Sequence, residues 1–184
     1  MKQEKEIRIF DNIISLKEQN KLVDLFLGNN FPWFYIPDIT DPVSKKQNRH
    51  ALSHNFINNG KLNSNHFTNI EPIIKNTCLA LNYQNVKTTN VRSFLQFPLN
   101  IKHRKLDTPH IDTTQKHKVF LYYVTDNDAQ TIIYKGKNAT KIKPKKGRLV
   151  VFDGSLYHTA EQPKKNIRCV INCNIVSYEE GNLN

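Results

Sequence analysis

No apolar run in this chain approaches the roughly 20 residues that span a bilayer, which excludes a membrane helix as its organising feature. The opening MKQEKEIRIF has no signal-peptide h-region. Cysteine is scarce. Cys78, Cys169 and Cys173 are too few and too scattered for a disulfide framework or a zinc ribbon, and the last two miss the C-x-x-C spacing. These absences predict a cytoplasmic protein in a reducing compartment, with no membrane partner. Internal repeats and low-complexity tracts are also missing. Acidic residues are in deficit, with 16 Asp+Glu against 27 Lys+Arg and a net charge of +11. Such a balance suits an anionic partner such as nucleic acid. The basic residues are dispersed, however, with the densest groups at Lys102-His103-Arg104-Lys105, Lys141 to Arg148 and Lys164-Lys165. Richness in Lys, Asn and Ile also fits an AT-rich coding sequence, so nucleic acid is the less favoured partner.

What the chain does hold fits one domain. At 184 residues it is long enough to bury about 70% of its unfolded surface. Ile7 to Phe10 alternate as a short strand. Ser15 and Glu18 form a capping-box pattern ahead of the stripe Leu22, Leu25, Phe26, and Gly28-Asn29 end that helix. Asn29 to Pro42 is aromatic and broken by prolines, and Lys45 to Asn65 is polar; neither predicts regular structure. A second helix is expected over Phe67 to Leu81, with Phe67, Ile70, Ile74, Cys78 and Leu81 on one face. Beyond Asn85 come short runs rich in β-branched and aromatic residues: VRSFLQF, KVFLYYV, TIIY, RLVVF and IRCVINCNIV. They indicate a sandwich or barrel. The expected class is mostly β with N-terminal helices (α+β), residues 1–85 serving as helical support and lid and residues 86–178 as the β core.

Within TPHIDTTQKHK, His110 and Asp112 stand two apart, the spacing that puts two side chains on one face of a strand. Thr and Pro around them equally suit a solvated loop. His158, after the strand Arg148 to Phe152 and the turn Asp153-Gly154, supplies a third ligand type. Two His and one carboxylate fit a facial triad, which holds Fe(II) on one side and leaves positions open. His103 and His117 flank the motif and are alternative ligands; His50, His54 and His66 read as surface or packing residues. In the last strand Ile167, Cys169, Ile171, Cys173 and Ile175 make an apolar face, suited to packing against the helices. Arg168, Val170, Asn172 and Asn174 then face the barrel interior. An arginine pointing inward needs an anion, and a bound carboxylate would supply one through a bidentate pair.

The set His110-x-Asp112, His158 and Arg168 ten positions on resembles the 2-oxoglutarate and Fe(II)-dependent oxygenases, particularly the prolyl-4-hydroxylase-like branch. The resemblance covers roughly Val91 to Val176. It implies a double-stranded β-helix (jelly roll, cupin-like) braced by helices. It also implies an enzyme that couples 2-oxoglutarate decarboxylation to hydroxylation of a second substrate, with release of succinate and CO2. FLYYVTDNDAQTIIY is similar to the family's YYLN…GGxTxF segment. On that likeness Tyr123 falls where a tyrosine contacts the distal carboxylate of 2-oxoglutarate, Thr131 matches the family threonine, and Asn174 belongs with them as a co-substrate residue. Ala129-Gln130 replaces the usual Gly-Gly, and FPLNIKHRK replaces the region that often holds a tyrosine, a role for which Arg92 and Gln96 are candidates. The implied cofactors are Fe(II) and 2-oxoglutarate, with O2 as co-substrate and ascorbate as reductant.

The prime substrate is not written in the sequence. The branch resemblance suggests a peptidyl proline, another protein side chain or a free amino acid. Candidate substrate residues are Trp33, Tyr35, His54 and Arg92, with Phe34 and the loop Asn100 to Asp107. Two rival readings stay open: a nucleic-acid-modifying oxygenase, and a non-catalytic metal-binding jelly roll, since His2Asp also accepts zinc.

Overall fold

The computed structural model describes residues 6–39, 49–98 and 106–180. Strand β1 (Ile7–Asp11) leads into helix α1 (Leu16–Leu27). The expected capping box is present: the Ser15 hydroxyl accepts from the Glu18 amide at 3.3 Å, and Glu18 Oε2 accepts from the Ser15 amide at 2.8 Å. Gly28 ends the helix as expected, in an extended conformation with φ −77°. Its requirement is close approach, since a Cβ there would lie 2.5 Å from the Asp24 carbonyl oxygen. Helix α2 (Phe67–Leu81) has the expected bounds and buries Ile70, Ile73, Ile74, Cys78 and Leu81. Asn82 closes it in the left-handed region, at φ 54°.

The remaining elements are β2 (Phe34–Ile36), β3 (Ala51–Asn58), β4 (Lys61–Leu62), β5 (Tyr83–Gln96), β6 (Lys118–Tyr123), β7 (Thr131–Lys135), β8 (Asn138–Ile142), β9 (Arg148–Asp153), β10 (His158–Ala160) and β11 (Arg168–Glu180). The larger antiparallel sheet runs β1-β9-β6-β11-β5-β3-β2, with β4 paired to β3. The smaller runs β10-β7-β8. Two antiparallel sheets braced by two helices make the double-stranded β-helix class expected.

The first 85 residues are less helical than their texture suggests. They contribute β1 to one edge of the large sheet and β3 and β2 to the other. Strand β3, ALSHNFIN, has few β-branched residues and lies in the stretch whose texture is polar. It forms because the long β5 offers a ladder, pairing Leu52 with Leu95 and Asn55 with Arg92; strand formation follows the neighbour more than intrinsic preference.

Strand β11 keeps its two faces apart. Cys169, Ile171, Cys173 and Ile175 join the core built with Ile14, Leu22 and Phe26 of the α1 region and Ile70 and Ile73 of α2. Arg168, Val170 and Asn172 line an interior cavity. All three cysteines are buried and unpaired. Burial pushes the Cys78 thiol up to about 11 and raises Cys169 and Cys173 as well, so they act as small hydrophobes. No helix among the described residues is long and apolar enough to cross a membrane.

Where β1 meets β9, Arg148 Nε and Nη2 donate to the two Asp11 oxygens at 2.8 and 3.0 Å, and Lys145 Nζ adds a contact at 2.9 Å. Arg148, aided by Lys145 and opposed by burial, holds the Asp11 carboxyl at about 2. Because that lies below the unfolded value of 3.8, the pair stabilises the fold fully above pH 4 and loses its contribution as pH falls toward 2. The site is partly exposed, so the contribution is at most about 1 kcal/mol. Asp11→Asn is expected to lower Tm at pH 7 and leave it unchanged near pH 2, read by thermal melts across that range.

Candidate metal centre

The segment before the motif runs antiparallel to β10. Asp107 N donates to Ala160 O at 2.9 Å, and His110 and His158 exchange backbone hydrogen bonds of 3.0 and 2.9 Å. This isolated bridge sets the two imidazoles side by side, with ring centroids 4.6 Å apart. Asp112 sits on a bend two residues later. Its Oδ1 lies 3.7 Å from His110 Nε2 and 3.8 Å from His158 Nε2. One ligand atom from each residue lies within 4.8 Å of the others, and among the described residues this is the cluster able to hold a metal ion. The His-x-Asp unit therefore owes its convergence to a bridge and a bend rather than to alternation along a strand. Ile111, between the two ligands, lines the same cavity.

Orientation and protonation suit metal ligation. His110 Nδ1 is 3.1 Å from Thr108 O and His158 Nδ1 is 3.3 Å from Leu156 O. A carbonyl only accepts, so both Nδ1 atoms carry the proton and both Nε2 lone pairs are free. Burial holds His158 below its usual value, with Asp112 opposing. Burial alone would raise Asp112; His158, the Asn172 hydrogen bond, His110 and Arg92 outweigh it and hold the carboxyl below its usual range. A neutral imidazole and an ionised carboxylate are the forms a divalent metal binds. Asn172 Nδ2 donates to Asp112 Oδ2 at 3.0 Å, leaving Oδ1 turned toward the two histidines. Asn172 carries a signal in the sequence only through its position four residues beyond Arg168 on the interior face.

His117 is not part of the cluster. Its Nδ1 lies 2.7 Å from Gln115 O, and its ring packs so closely on Gly154 that a Cβ there would fall 2.1 Å from Nε2. His103 and residues 99–105 of the adjoining loop lie outside the described residues.

The triad opens on a cavity of about 330 Å³ whose far wall includes Arg168, Thr131 and Gln96. Arg168 is buried, and its acceptors among the described residues are neutral: Gln96 Oε1 at 2.6 Å and Thr131 Oγ1 at 3.3 Å. Arg168 Nε and Gln96 Nε2 are buried N–H donors without a partner. Tyr123 is fully buried and does not line the cavity; its hydroxyl donates to Thr131 Oγ1 at 2.6 Å. Burial raises its phenol, with Arg168 opposing, so it stays a neutral donor. Thr131 Oγ1 thus accepts two hydrogen bonds and keeps its own proton to give. Asn174 is buried with Oδ1 unpartnered, opposite Val119, and is not part of the cavity wall.

A second charge pair was not foreseen. Arg49 Nη1 donates to Asp107 Oδ1 at 2.7 Å, both side chains being nearly inaccessible. Gln162 Nε2 donates to the same carboxylate oxygen, and Thr159 Oγ1 to the Asp107 carbonyl at 2.6 Å. Burial raises the Asp107 carboxyl, opposed by Gln162, Arg49 and Arg168.

The four substrate candidates separate. Arg92 lines the cavity. Trp33 packs on Phe26 and Phe31 and donates Nε1–H to Phe26 O at 2.9 Å. His54 is enclosed by Phe31 and Phe56, with Nδ1 at 2.8 Å from Pro32 O. Tyr35 is exposed and stacks on His50. None of these three reaches the cavity wall, whereas Ile36 and Ile39 from the same segment do.

No family model matches the chain, and no curated protein matches it. Solved structures do. A viral collagen prolyl hydroxylase from Paramecium Bursaria Chlorella virus-1 is 16% identical, with 94% of this chain and 96% of that one covered at a TM-score of 0.63. The chain has the 2-oxoglutarate/Fe(II) oxygenase fold. A 2OG-Fe(II) oxygenase family oxidoreductase from Burkholderia pseudomallei is similar at 10% identity, 96% and 86% coverage and a TM-score of 0.69. The α-ketoglutarate-dependent epimerase SnoN of nogalamycin biosynthesis is similar at 9% identity, 93% and 77% coverage and a TM-score of 0.62. The oxygenase fold therefore carries more than one reaction, and it is the triad and cavity that speak to chemistry.

Proposed function

We propose that this protein is a non-haem Fe(II)- and 2-oxoglutarate-dependent oxygenase that hydroxylates a second substrate, working as one domain over residues 1–184. The observation that carries the reading is one cavity of about 330 Å³ with the His110-Asp112-His158 cluster and the buried Arg168 both in its wall. The donor set fits Fe(II): two neutral imidazole nitrogens and one carboxylate oxygen converge, and three donors leave positions open for ligands. The far wall fits the distal carboxylate of 2-oxoglutarate, since among the described residues Arg168 has no anionic hydrogen-bond partner and two buried N–H donors lack an acceptor.

His110, Asp112 and His158 would hold the iron, with Asn172 fixing the Asp112 carboxylate. Arg168 and the Thr131 hydroxyl would bind the distal carboxylate. Tyr123 positions Thr131 and keeps its proton directed to the cavity. Once bound, the iron supplies oxygen activation coupled to oxidative decarboxylation of 2-oxoglutarate. The protein contributes ligand geometry, co-substrate orientation and a wall of Phe94, Leu121 and Val170 that limits water. The N-terminal half adds Ile36 and Ile39 to that wall.

The test is anaerobic titration of the Fe(II)-loaded protein with 2-oxoglutarate, followed by an assay for succinate in air. A visible charge-transfer band and succinate release are expected. A protein that binds iron but neither gives the band nor releases succinate is not this enzyme. Arg168→Met removes a charge-assisted contact of about 1.5–3 kcal/mol. The same titration is expected to show 2-oxoglutarate binding weakened about 10- to 150-fold, with iron affinity retained because Arg168 touches no member of the triad.

A further inference from the structure

Arg92 is a cation in the cavity wall that the proposed chemistry leaves unused. It projects from β5, whose neighbours at that register are the uncharged Asn172 on β11 and Asn55 on β3. No carboxylate among the described residues lies within ion-pair distance of it. Its guanidinium carbon sits 5.4 Å from the centroid of the Phe94 ring, which holds the group in place without using its hydrogen-bonding edge. It is half-buried and near enough to the triad to act on the Asp112 charge.

The pairing of the charged wall residues bears on this, and the reading rests on the oxygenase proposal above. Asp107 is paired with Arg49. Asp112 would be held by the metal, and Arg168 by the distal carboxylate of 2-oxoglutarate. Arg92, at the register of Asn172 on β11, has no such partner among the described residues. A cation in that position is costly without an anion, and its fork suits a carboxylate held by two parallel hydrogen bonds.

We propose that Arg92 is the specificity residue for the prime substrate, which is a small molecule carrying one carboxylate close to the carbon presented to the metal. A neutral peptidyl side chain leaves Arg92 without a partner. A carboxylate inside the cavity satisfies it and fixes the reacting carbon at one distance from the triad.

The experiment uses the full chain with Mn(II) in place of iron and with 2-oxoglutarate bound. Binding is measured for matched pairs of N-acetyl amino acids and their primary amides, and for a single-stranded oligonucleotide. Carboxylates are expected to bind at least tenfold more tightly than their amide twins. Arg92→Gln is expected to erase that difference, with 2-oxoglutarate affinity kept within about twofold, and Arg92→Glu to reverse it. Equal binding of the twins, no binding of any carboxylate, tighter binding of the oligonucleotide, or a loss of 2-oxoglutarate affinity in Arg92→Gln each overturns the proposal alone. Failure of 2-oxoglutarate to bind the Mn(II)-loaded wild type overturns the oxygenase reading and this proposal with it.

Discussion

His158→Ala is expected to abolish stoichiometric metal binding. The imidazole is buried, edge-on to the Phe152 ring at 5.0 Å, and its Nε2 faces the Asp112 carboxylate at 3.8 Å. The backbone bonds between positions 110 and 158 do not involve the side chain, so the bridge that places His110 survives the substitution. What is lost is one of three donors, which leaves a His and an Asp as a weak two-point site. Removing an outer hydrogen-bond partner of a metal ligand costs roughly 10–100-fold in affinity, and losing the ligand itself is expected to cost more than about 100-fold. Competition with a chelator under anaerobic conditions measures it, and a melt by circular dichroism verifies that the fold persists. His117→Ala is the companion measurement and is expected to keep the metal, since that ring packs on Gly154. Stoichiometric iron in His158→Ala would transfer the ligand role to His103 or His117 and sink the triad.

Arg49→Met is expected to destabilise the fold by about 3–5 kcal/mol, the usual cost of stranding one member of a buried ion pair. The pair joins the start of β3 to the segment that carries His110 and Asp112, and Asp107 is tied in turn to Thr159 beside His158. The pH dependence separates this cause from simple loss of packing. Burial already holds the Asp107 carboxyl above its ordinary value of 3.8, and Arg49 is one of the groups that restrains the rise. Without Arg49 the folded value climbs further. A carboxyl with a raised folded pKa destabilises fully above that pKa, and the penalty disappears as pH falls toward the unfolded value. The gap in Tm between wild type and Arg49→Met is therefore expected to be widest at neutral pH and to narrow on acidification toward pH 4. Arg49→Met combined with Asp107→Leu is expected to recover part of the loss at neutral pH, because no charge is stranded. A gap that stays constant with pH would mean that Asp107 does not need Arg49.

The elements legible in the sequence were those carrying a local signal. Helix α2 is legible over Phe67–Leu81 because Ile70, Ile74, Cys78 and Leu81 recur at helical spacing. The capping box at Ser15 and Glu18 marked the start of α1. Strand β11 disclosed both its faces, since the residues that join the helical core and those that line the cavity alternate along it. By contrast β2 and β3 carry no such signal; β3 exists because β5 provides hydrogen-bonding partners, and β2 because β3 does, which composition cannot record.

By itself the sequence determined the β class with helical braces, a candidate triad with His103 and His117 as alternative ligands, and an inward-facing Arg168 in a run, IRCVINCNIV, that holds no acidic residue. These follow from residue type, from spacing along the chain and from the family resemblance that spacing carries. Only the tertiary structure decided which residues meet. It took a bridge between chain segments 48 residues apart to bring His110 beside His158, and three further elements to seat Arg168 against Gln96 and Thr131. It also set Trp33 and His54 in the packing of the helical side and left Arg92 in the cavity. Side chains converge on a metal or a carboxylate through pairings between distant strands, and the energy of those pairings belongs to the assembled sheet.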